Sequence, residues 1–358
     1  MEPVKRMKME SSMVGFQYCF NQEGQLRHRE TQEAFVFNYH RGEYKRNHQR
    51  YQALGQVITE HVYRLLEGEC HLQRFYIPLD AKENEPKSLF FMSPGALDNP
   101  KGLVVLIQDQ GVIRAGQWSR KLIVHSGLEQ GSQIPFIKKA LGDSCGVIVM
   151  NPNDNFLEIK VEEEYHTDLQ NTSTNCPSPV DPEGKEFFQI PKRCSSTPEE
   201  HVRYIWDHFV SKCEARHVAV IAHGYGGLVF VDLLLHRRQE VQSKVYAAAF
   251  IDSLHNMWHQ VLDKKTQEWI QRHCRKWVLS SRPIDRPVTF VKVDCPQVSA
   301  GTQSHESAPW ICLQSVFRFF TRALKAKNKV PFSRAVIVTR SKSNQGLTRA
   351  AFGGFSPF

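Results

Sequence analysis

The residues best suited to chemistry lie in one glycine-rich turn, residues 222–227, with the sequence Ala-His-Gly-Tyr-Gly-Gly. An apolar run enters this turn and an apolar helical pattern leaves it. Strand, tight turn and helix in that order are the context of the G-x-S-x-G elbow, which presents a nucleophilic serine to a substrate. Ala222 and Gly226 fill the two small positions, and Gly224 stands at the nucleophile's position. The pattern therefore predicts a turn of elbow shape with no side chain to attack a carbonyl.

The neighbours of Gly224 do not supply a substitute nucleophile. His223 and Tyr225 complete the elbow, but in such a turn both side chains point away from the nucleophile's position. Glycine also tolerates the strained backbone angles that an elbow imposes on its central residue. Two interpretations remain open at this point: an elbow that has lost its serine, or an ordinary strand-to-helix turn that never held an active site.

Candidate partners follow the turn in the chain order nucleophile, acid, histidine. Asp252 comes directly after the apolar run 245–251, and His305 lies in a later loop. Asp294 is a second candidate for the acid. The simpler interpretation of these residues is a capping aspartate and a surface histidine.

The oxyanion-stabilising loop of such a site should follow an early strand. After the apolar run 103–107, the chain continues with Gln108, Asp109, Gln110 and Gly111. The glycine suits a loop that passes close to a ligand. Asp109 would place a carboxylate near any developing oxyanion, which is the wrong sign of charge for stabilising it. Together with Gly224, this loop predicts a vestigial site in which no catalytic set is intact.

Hydrophobic periodicity predicts an α/β fold with a mostly parallel sheet flanked by helices, preceded by an N-terminal hairpin and helix. The central strands are continuous apolar runs, as expected for strands covered on both faces. Strands are predicted at 75–77, 89–92, 103–107, 147–150, 218–222, 245–251 and 288–293, after a hairpin within 16–39. Helices are predicted at 48–67, 115–124, 134–142, 197–213, 226–238, 259–272 and 309–326.

Composition and charge exclude several classes of protein. Hydrophobic residues make up 41% of the 358 positions, which is enough for a large core, and no apolar run is long enough to span a membrane. Nine cysteines without a C-x-x-C pair argue against a disulfide framework or a structural zinc site. His255 and His259 stand four apart but lack the glutamate of a zinc-binding H-E-x-x-H motif. No metal and no cofactor is expected.

The net charge of +9 belongs to the C-terminal end of the chain. No Asp or Glu follows Glu306, whereas nine basic residues do. We predict a disordered N-terminus over 1–13, one domain over 14–326 and a basic disordered tail over 327–358. A polar stretch at about 155–196 is predicted to be a disordered insertion. The tail could make weak contact with RNA, or part of it could act as a nuclear-import signal.

Several stretches together resemble the argonaute-binding Arb-two domain family, within which the chain is similar to the animal cotranscriptional regulator branch. The resemblance runs from about residue 14 to about 323. The stretches that carry it are Gly111–Trp118, Gln133–Lys138, Gly146–Asn153, Ala222–Gly227, Asp252–Asn256 and Val298–Thr302.

The resemblance implies an α/β-hydrolase-like fold used at chromatin. Family members are linked to Argonaute proteins, to RNA silencing and heterochromatin, and to alternative splicing. Related members carry A-H-S-Y-G-G at the elbow, so their serine falls on Gly224, and His-Gly in place of Gln108-Asp109. The chain therefore resembles a paralogue without the elbow serine: a non-catalytic regulator of nucleus and cytoplasm that binds Argonaute and chromatin or splicing factors. The alternative is an esterase-type enzyme with a degenerate site.

Overall fold

The computed structural model describes residues 17–160, 187–255, 263–288 and 294–328. Its central feature is an eight-stranded sheet, preceded in the chain by a two-stranded hairpin. The hairpin strands are β1 (Tyr18–Phe20) and β2 (Leu26–His28). The sheet comprises β3 (Gln73–Ile77), β4 (Ser88–Met92), β5 (Leu103–Ile107), β6 (Gly146–Val149), β9 (Val218–His223), β10 (Val245–Ile251), β11 (Cys274–Val278) and β12 (Gln297–Ser299).

The strand order is that of the α/β-hydrolase fold. From one edge to the other it reads β12-β11-β10-β9-β5-β6-β4-β3. Only β4 runs against the rest, since it pairs antiparallel with both β3 and β6. Strand β9, which leads into the elbow, pairs in parallel with β5 on one side and β10 on the other. The carboxyl ends of these three central strands therefore meet at one edge, as the sequence interpretation requires, and the predicted fold class is confirmed.

Helices cover both faces of the sheet. They are α1 (Tyr44–Gly68), α2 (Arg120–Ser126), α3 (Leu128–Gly131), α4 (Ile134–Gly142), α5 (Pro198–Ile205), α6 (Gly226–His236), α7 (Arg238–Lys244), α8 (Lys264–His273) and α9 (Ala308–Asn328). A short π-helical turn, Trp206–Val210, extends α5. Alternate residues of β5 enter two separate cores: Val104 and Leu106 face α1, α4 and α9, whereas Val105 and Ile107 face α5 and α6. Burial on both faces explains the uninterrupted apolar pattern of the strand.

Two parts of the predicted element order are wrong. The second hairpin strand is β2, and the apolar run 34–37 packs as loop, with Phe35 buried against Tyr18. Strands β11 and β12 were not predicted, because Arg275 and Lys276 interrupt the apolar pattern of one and the other has only three residues. The predicted strand 288–293 lies almost entirely outside the described residues.

The predicted insertion is not irregular at its two ends. Strands β7 (Phe156–Lys160) and β8 (Phe187–Pro191) pair antiparallel as a separate ribbon. Cross-strand pairing places Leu157 beside Ile190, with Ile159 and Phe188 next along the same face. These four side chains are all exposed, so the ribbon presents an apolar face to solvent. Polar residues nearby in the sequence conceal this short alternating pattern. Residues 161–186 lie outside the described part of the chain.

The predicted terminal segments fall mostly outside the described residues. Residues 1–16 and 329–358 lie outside the described residues, so the N-terminal segment and most of the basic tail remain predictions. Helix α9 continues to Asn328 and carries Lys325 and Lys327 in its last turn, where positive charge suits the helix dipole. No helix within the described ranges has the length and apolar character needed to cross a membrane.

Thr197 caps the N-terminus of helix α5 with its side chain. The Thr197 hydroxyl accepts a hydrogen bond from the Glu200 N–H at 3.1 Å, and the Glu200 carboxylate accepts one from the Ser196 N–H at 2.8 Å. We expect Thr197→Ala to lower the free energy of unfolding by about 1 kcal/mol, because one N–H loses its partner. Urea unfolding measures this, with the exposed Ser281→Ala as control. Equal stability of the two variants would contradict the predicted contribution of the cap.

Candidate functional site

The elbow has the backbone of a nucleophile turn. Strand β9 ends at His223, and Gly224 adopts φ +54°, in the left-handed region that side chains rarely enter. Gly226 begins helix α6 so close to strand β5 that a Cβ there would lie 2.7 Å from the Ile107 and Gln108 carbonyl oxygens. Ala222 is fully buried at the end of the strand. The small residues therefore serve the close approach of two backbones, as the sequence predicts.

Asp109 fills the space in which a serine side chain would lie. A Cβ built on Gly224 would meet the Asp109 carboxyl carbon at 2.3 Å. The side chain comes from the loop after β5 and reaches the elbow from the neighbouring strand end. The Asp109 carboxylate therefore occupies the space that a side chain at position 224 would need, although 115 positions separate the two residues in the sequence.

The same carboxylate binds the backbone donors that would form an oxyanion hole. Asp109 Oδ1 accepts hydrogen bonds from the Tyr225 N–H at 2.6 Å and from the Gln110 N–H at 2.8 Å. In a working elbow, the N–H after the nucleophile and one from an early loop stabilise the oxyanion of the tetrahedral intermediate. The sequence argument on sign of charge placed Asp109 beside this site. The structure places its oxygen within hydrogen-bonding distance of both donors.

His305 connects Asp109 to the acid. Its Nε2 lies 2.9 Å from Asp109 Oδ2, and its Nδ1 lies 2.7 Å from Asp252 Oδ2. Asp252 follows β10 directly, with φ +40°, a strained conformation of the kind found at functional positions. Of the two candidate acids, Asp252 is thus the one in contact with His305. The result is an Asp-His-Asp chain in which one carboxylate stands where a serine hydroxyl would be.

Two carboxylates beside one imidazole stabilise its charged form. The hydrogen bond to Asp109 and then that to Asp252 raise the pKa of His305 to about 10. Burial raises the pKa of Asp109, but its bonds from His305 and from the Tyr225 N–H outweigh this and keep the pKa below its usual value. At neutral pH the ring is therefore an imidazolium. A general base must instead be unprotonated to accept a proton.

The remaining elbow residues support this arrangement. His223 is buried, and burial followed by the nearby positive His305 lowers its pKa to about 4. Its ring stacks on His305 at a centroid distance of 4.3 Å, and its Nε2–H donates to the His305 carbonyl oxygen at 3.2 Å. The Tyr225 hydroxyl donates to Glu199 at 2.7 Å, away from Asp109. Both side chains therefore position neighbours and do not replace the missing nucleophile.

The rest of the predicted oxyanion loop divides between core and surface. Gln108 is buried, and neither atom of its amide group has a hydrogen-bond partner among the described residues. Gln110 and Gly111 are exposed. Asn153 holds the loop from the far side, because its Nδ2 donates to the carbonyl oxygens of Asp109 and Ile113 at 2.8 and 3.1 Å. The aspartate is thus fixed at its backbone as well as at its carboxylate.

A second serine–histidine–aspartate cluster lies behind the elbow, and the sequence interpretation missed it. His255 Nδ1 lies 2.6 Å from Ser253 Oγ, and its Nε2 lies 3.2 Å from Asp294 Oδ1. Asp294 is therefore the partner of His255. Ser253 is only 5% exposed, and a Cβ on Gly227 would meet its hydroxyl, so this cluster packs against the start of α6. The S-x-H spacing after β10 was the available sequence signal.

Two clusters within the described residues bring potential metal ligands together. One is Asp109, His223 and His305, and the other is His255, Asp294 and Cys295. In the first, both nitrogens of His305 face carboxylates, and an imidazolium has no free lone pair for a metal. In the second, both nitrogens of His255 already contact Ser253 and Asp294. Neither arrangement offers an open coordination site of the kind that a catalytic zinc uses.

The sequence of this chain matches the model of a known protein family. The description of that family is "Arb2 domain", and the match covers residues 9–284. The chain belongs to the Arb2 domain family. It is 50% identical over 348 residues to the human protein named ARB2BP, covering 94% of this chain and 96% of that one. It is 45% identical to the chicken cotranscriptional regulator ARB2A homologue, covering 90% and 83%, and 44% identical to human cotranscriptional regulator ARB2A, covering 88% and 81%.

Likeness among solved structures is more distant. A histone deacetylase from Saccharomyces cerevisiae is similar with a TM-score of 0.46 and 14% identity, covering 76% of this chain and 97% of that one. The fold assignment of this Arb2 domain therefore rests on its own strand order and elbow. Its site has an elbow of the hydrolase shape, with His305 and the acid Asp252 beside it. The carboxylate of Asp109 occupies the positions of both the nucleophile and the substrate oxyanion.

Proposed function

We propose that this chain is a non-catalytic regulator of cotranscriptional gene expression that acts by binding partner proteins. The observation that supports this most directly is the carboxylate of Asp109. It lies where a serine side chain would lie, it accepts both backbone N–H groups, and it keeps His305 protonated. Serine-type acyl transfer needs a nucleophile, a neutral histidine and a free oxyanion hole, and this arrangement supplies none of them.

The relatives support the regulatory half of the proposal. Two of the proteins to which this chain is similar are named cotranscriptional regulators, and their similarity extends over most of the domain. By that likeness we propose Argonaute and chromatin or splicing factors as partners, with roles in alternative splicing, RNA silencing and heterochromatin. The same likeness suggests the nucleus as the main location, with a further population in the cytoplasm. A weak contact of the basic tail with RNA is part of the proposal.

An esterase-type activity is the second candidate, because one part of the catalytic arrangement is kept. Asp252 still contacts His305 Nδ1 at 2.7 Å, the contact through which an acid orients the histidine of a triad. Turnover of p-nitrophenyl acetate by the purified chain that disappears in His305→Gln would favour this candidate over the non-catalytic one. We expect no such turnover.

Affinity purification of the tagged full-length chain from nuclear extract, with and without RNase, tests the proposal. We expect Argonaute to be recovered in both conditions, because the proposed contact is between proteins. The variant Asp109→Asn should recover equal amounts, since the proposed role does not use the site's chemistry. Failure to recover Argonaute with a chain that is folded by circular dichroism would contradict the proposed partner. Loss only after RNase would mean that RNA bridges the two.

A further inference from the structure

A cleft of about 500 Å³ lies on the outer side of the loop that carries Asp109, between that loop and helix α1. Two arginines line it: Arg120, the first residue of α2, and Arg114 from the loop itself. The cleft is separate from the elbow, and neither the proposed regulatory role nor the Asp-His-Asp chain uses it.

Arg120 is a buried cation whose guanidinium carbon lies 5.9 Å from the centre of the Tyr51 ring. The residue is only 9% exposed, and its Nε has no hydrogen-bond partner among the described residues. One nitrogen, Nη2, donates to the Val112 carbonyl oxygen. No carboxylate of the described residues forms an ion pair with it. A buried charge without a counter-ion is unfavourable, and burial accordingly lowers the pKa of Arg120.

The second arginine adds to the imbalance of charge. Arg114 is half-buried, and its Nη1 donates to the Ile113 carbonyl oxygen at 3.2 Å. The positive charge of Arg114 also disfavours the charged form of Arg120, so the two guanidinium groups repel each other. Guanidinium groups provide charged N–H donors of the kind that a tetrahedral oxyanion accepts.

Helix α1 is shaped to admit the Arg120 guanidinium. Gly55 lies within this helix, where glycine is unfavourable, and a Cβ on it would lie 2.2 Å from Arg120 Nη1. The missing side chain allows the guanidinium to rest against the helix backbone. The glycine at position 55 is therefore what leaves room for the arginine.

The wall of the cleft also limits what can bind. Glu60 and Glu158 line it as exposed carboxylates, so a large polyanion would meet repulsion at the rim. A compact oxyanion that reaches the buried guanidinium would not require contact with either carboxylate. Thr59 and Asn153 are further polar residues of the wall.

We propose that this cleft is a binding site for a phosphate group, held by Arg120 and Arg114. The group is either free inorganic phosphate or the phosphate of a phosphorylated side chain, which share the same recognition chemistry. Binding would supply the counter-charge that the two arginines lack within the described part of the chain.

Thermal unfolding of the full-length chain in sodium phosphate, against sodium chloride at equal ionic strength, tests the proposal. A ligand that binds only the folded state raises the midpoint in proportion to the logarithm of its concentration above Kd. We expect such a saturable rise for the natural chain, and at least a ~10-fold weaker apparent affinity for Arg114→Gln, since one charged donor is lost. The exposed Arg216→Gln removes the same charge elsewhere and should leave phosphate affinity unchanged.

Two results would overturn the proposal. One is the absence of a phosphate-specific rise, and the other is equal phosphate affinity in Arg114→Gln and Arg216→Gln. Arg120→Lys provides a second variant that keeps the charge and removes the fork, and it should also bind more weakly. O-Phosphoserine distinguishes the two sources: tighter binding than inorganic phosphate indicates a phosphorylated side chain, and equal or weaker binding indicates the free ion.

Discussion

Replacing Gly224 with serine should make this protein less stable without giving it esterase activity. We expect Gly224→Ser to lower the free energy of unfolding by about 3 kcal/mol, from left-handed strain and from hydrogen bonds lost by a displaced Asp109. The new Cβ would meet the aspartate carboxyl carbon at 2.3 Å, so both side chains cannot keep their places. Urea unfolding measures the first effect, and hydrolysis of p-nitrophenyl acetate measures the second.

The double variant Asp109→Gly/Gly224→Ser should reverse both results. Removing the carboxylate frees the Tyr225 and Gln110 N–H groups and leaves the introduced serine beside a His305 that contacts only Asp252. We expect ester turnover at least ~100-fold above either single variant, since a single oxyanion donor is worth about that much. The stability cost of the two substitutions should be clearly less than additive, as for residues in contact.

Two controls make the double variant informative. Adding His305→Gln to it should abolish the gained turnover, which shows that the activity arises at this site. Asp109→Gly alone should have no turnover, because no nucleophile is present. A folded double variant with no activity would contradict our expectation that these two substitutions are sufficient for turnover.

The charge of His305 should make stability depend on pH in an unusual direction. Its pKa is raised from 6.5 to about 10, so the folded protein holds a proton that the unfolded chain releases above pH 6.5. The resulting stabilisation is complete below pH 6.5 and is lost as the pH rises to about 10. We expect a loss of about 2 kcal/mol, roughly half the unscreened value, because a third of the side chain is exposed. Chemical unfolding at pH 6, 8 and 10 measures it.

Variants of His305 and of Asp109 isolate this effect. His305→Gln should remove the added pH dependence between pH 6.5 and 10. Asp109→Asn should lower the pKa of His305 by about 1 to 3 pH units, because one of its two anionic partners becomes neutral. Imidazole NMR follows that titration, with His305 assigned from its absence in His305→Gln. An unchanged pKa in Asp109→Asn would contradict the hydrogen bond between the two side chains.

The fold could be predicted because its signals are local. The buried strands β5, β9 and β10 are continuous apolar runs, and the predicted bounds of β5 and β10 agree with the structure. The start of helix α5 is marked in the sequence by the N-cap residue Thr197 and by Glu200 three residues later. Strand β11 lacked such a signal, because at the sheet's periphery the alternation includes charged residues. The β7–β8 ribbon was missed because its partner strands are separated by a long polar stretch.

The site could be predicted in part, and the limit is geometric. The structure brings together Gly224, Asp252 and His305, the residues that chain order selects, through Asp109 and the contact between His305 and Asp252. Sequence could not choose between Asp252 and Asp294, which depends on where two loops end in space. It also treated Asp109 as an unfavourable charge near the oxyanion hole. Only the structure shows that this carboxylate occupies the space that Gly224 leaves empty.

That shared space constrains the order in which such a protein can change over generations. A serine at 224 and an aspartate at 109 cannot both keep these positions, because a Cβ at 224 would lie 2.3 Å from the aspartate carboxyl carbon. With Asp109 in place, we expect the single change Gly224→Ser to give a less stable and inactive chain. By this geometry, an elbow serine could be accommodated in this chain only after the aspartate at 109 has been replaced.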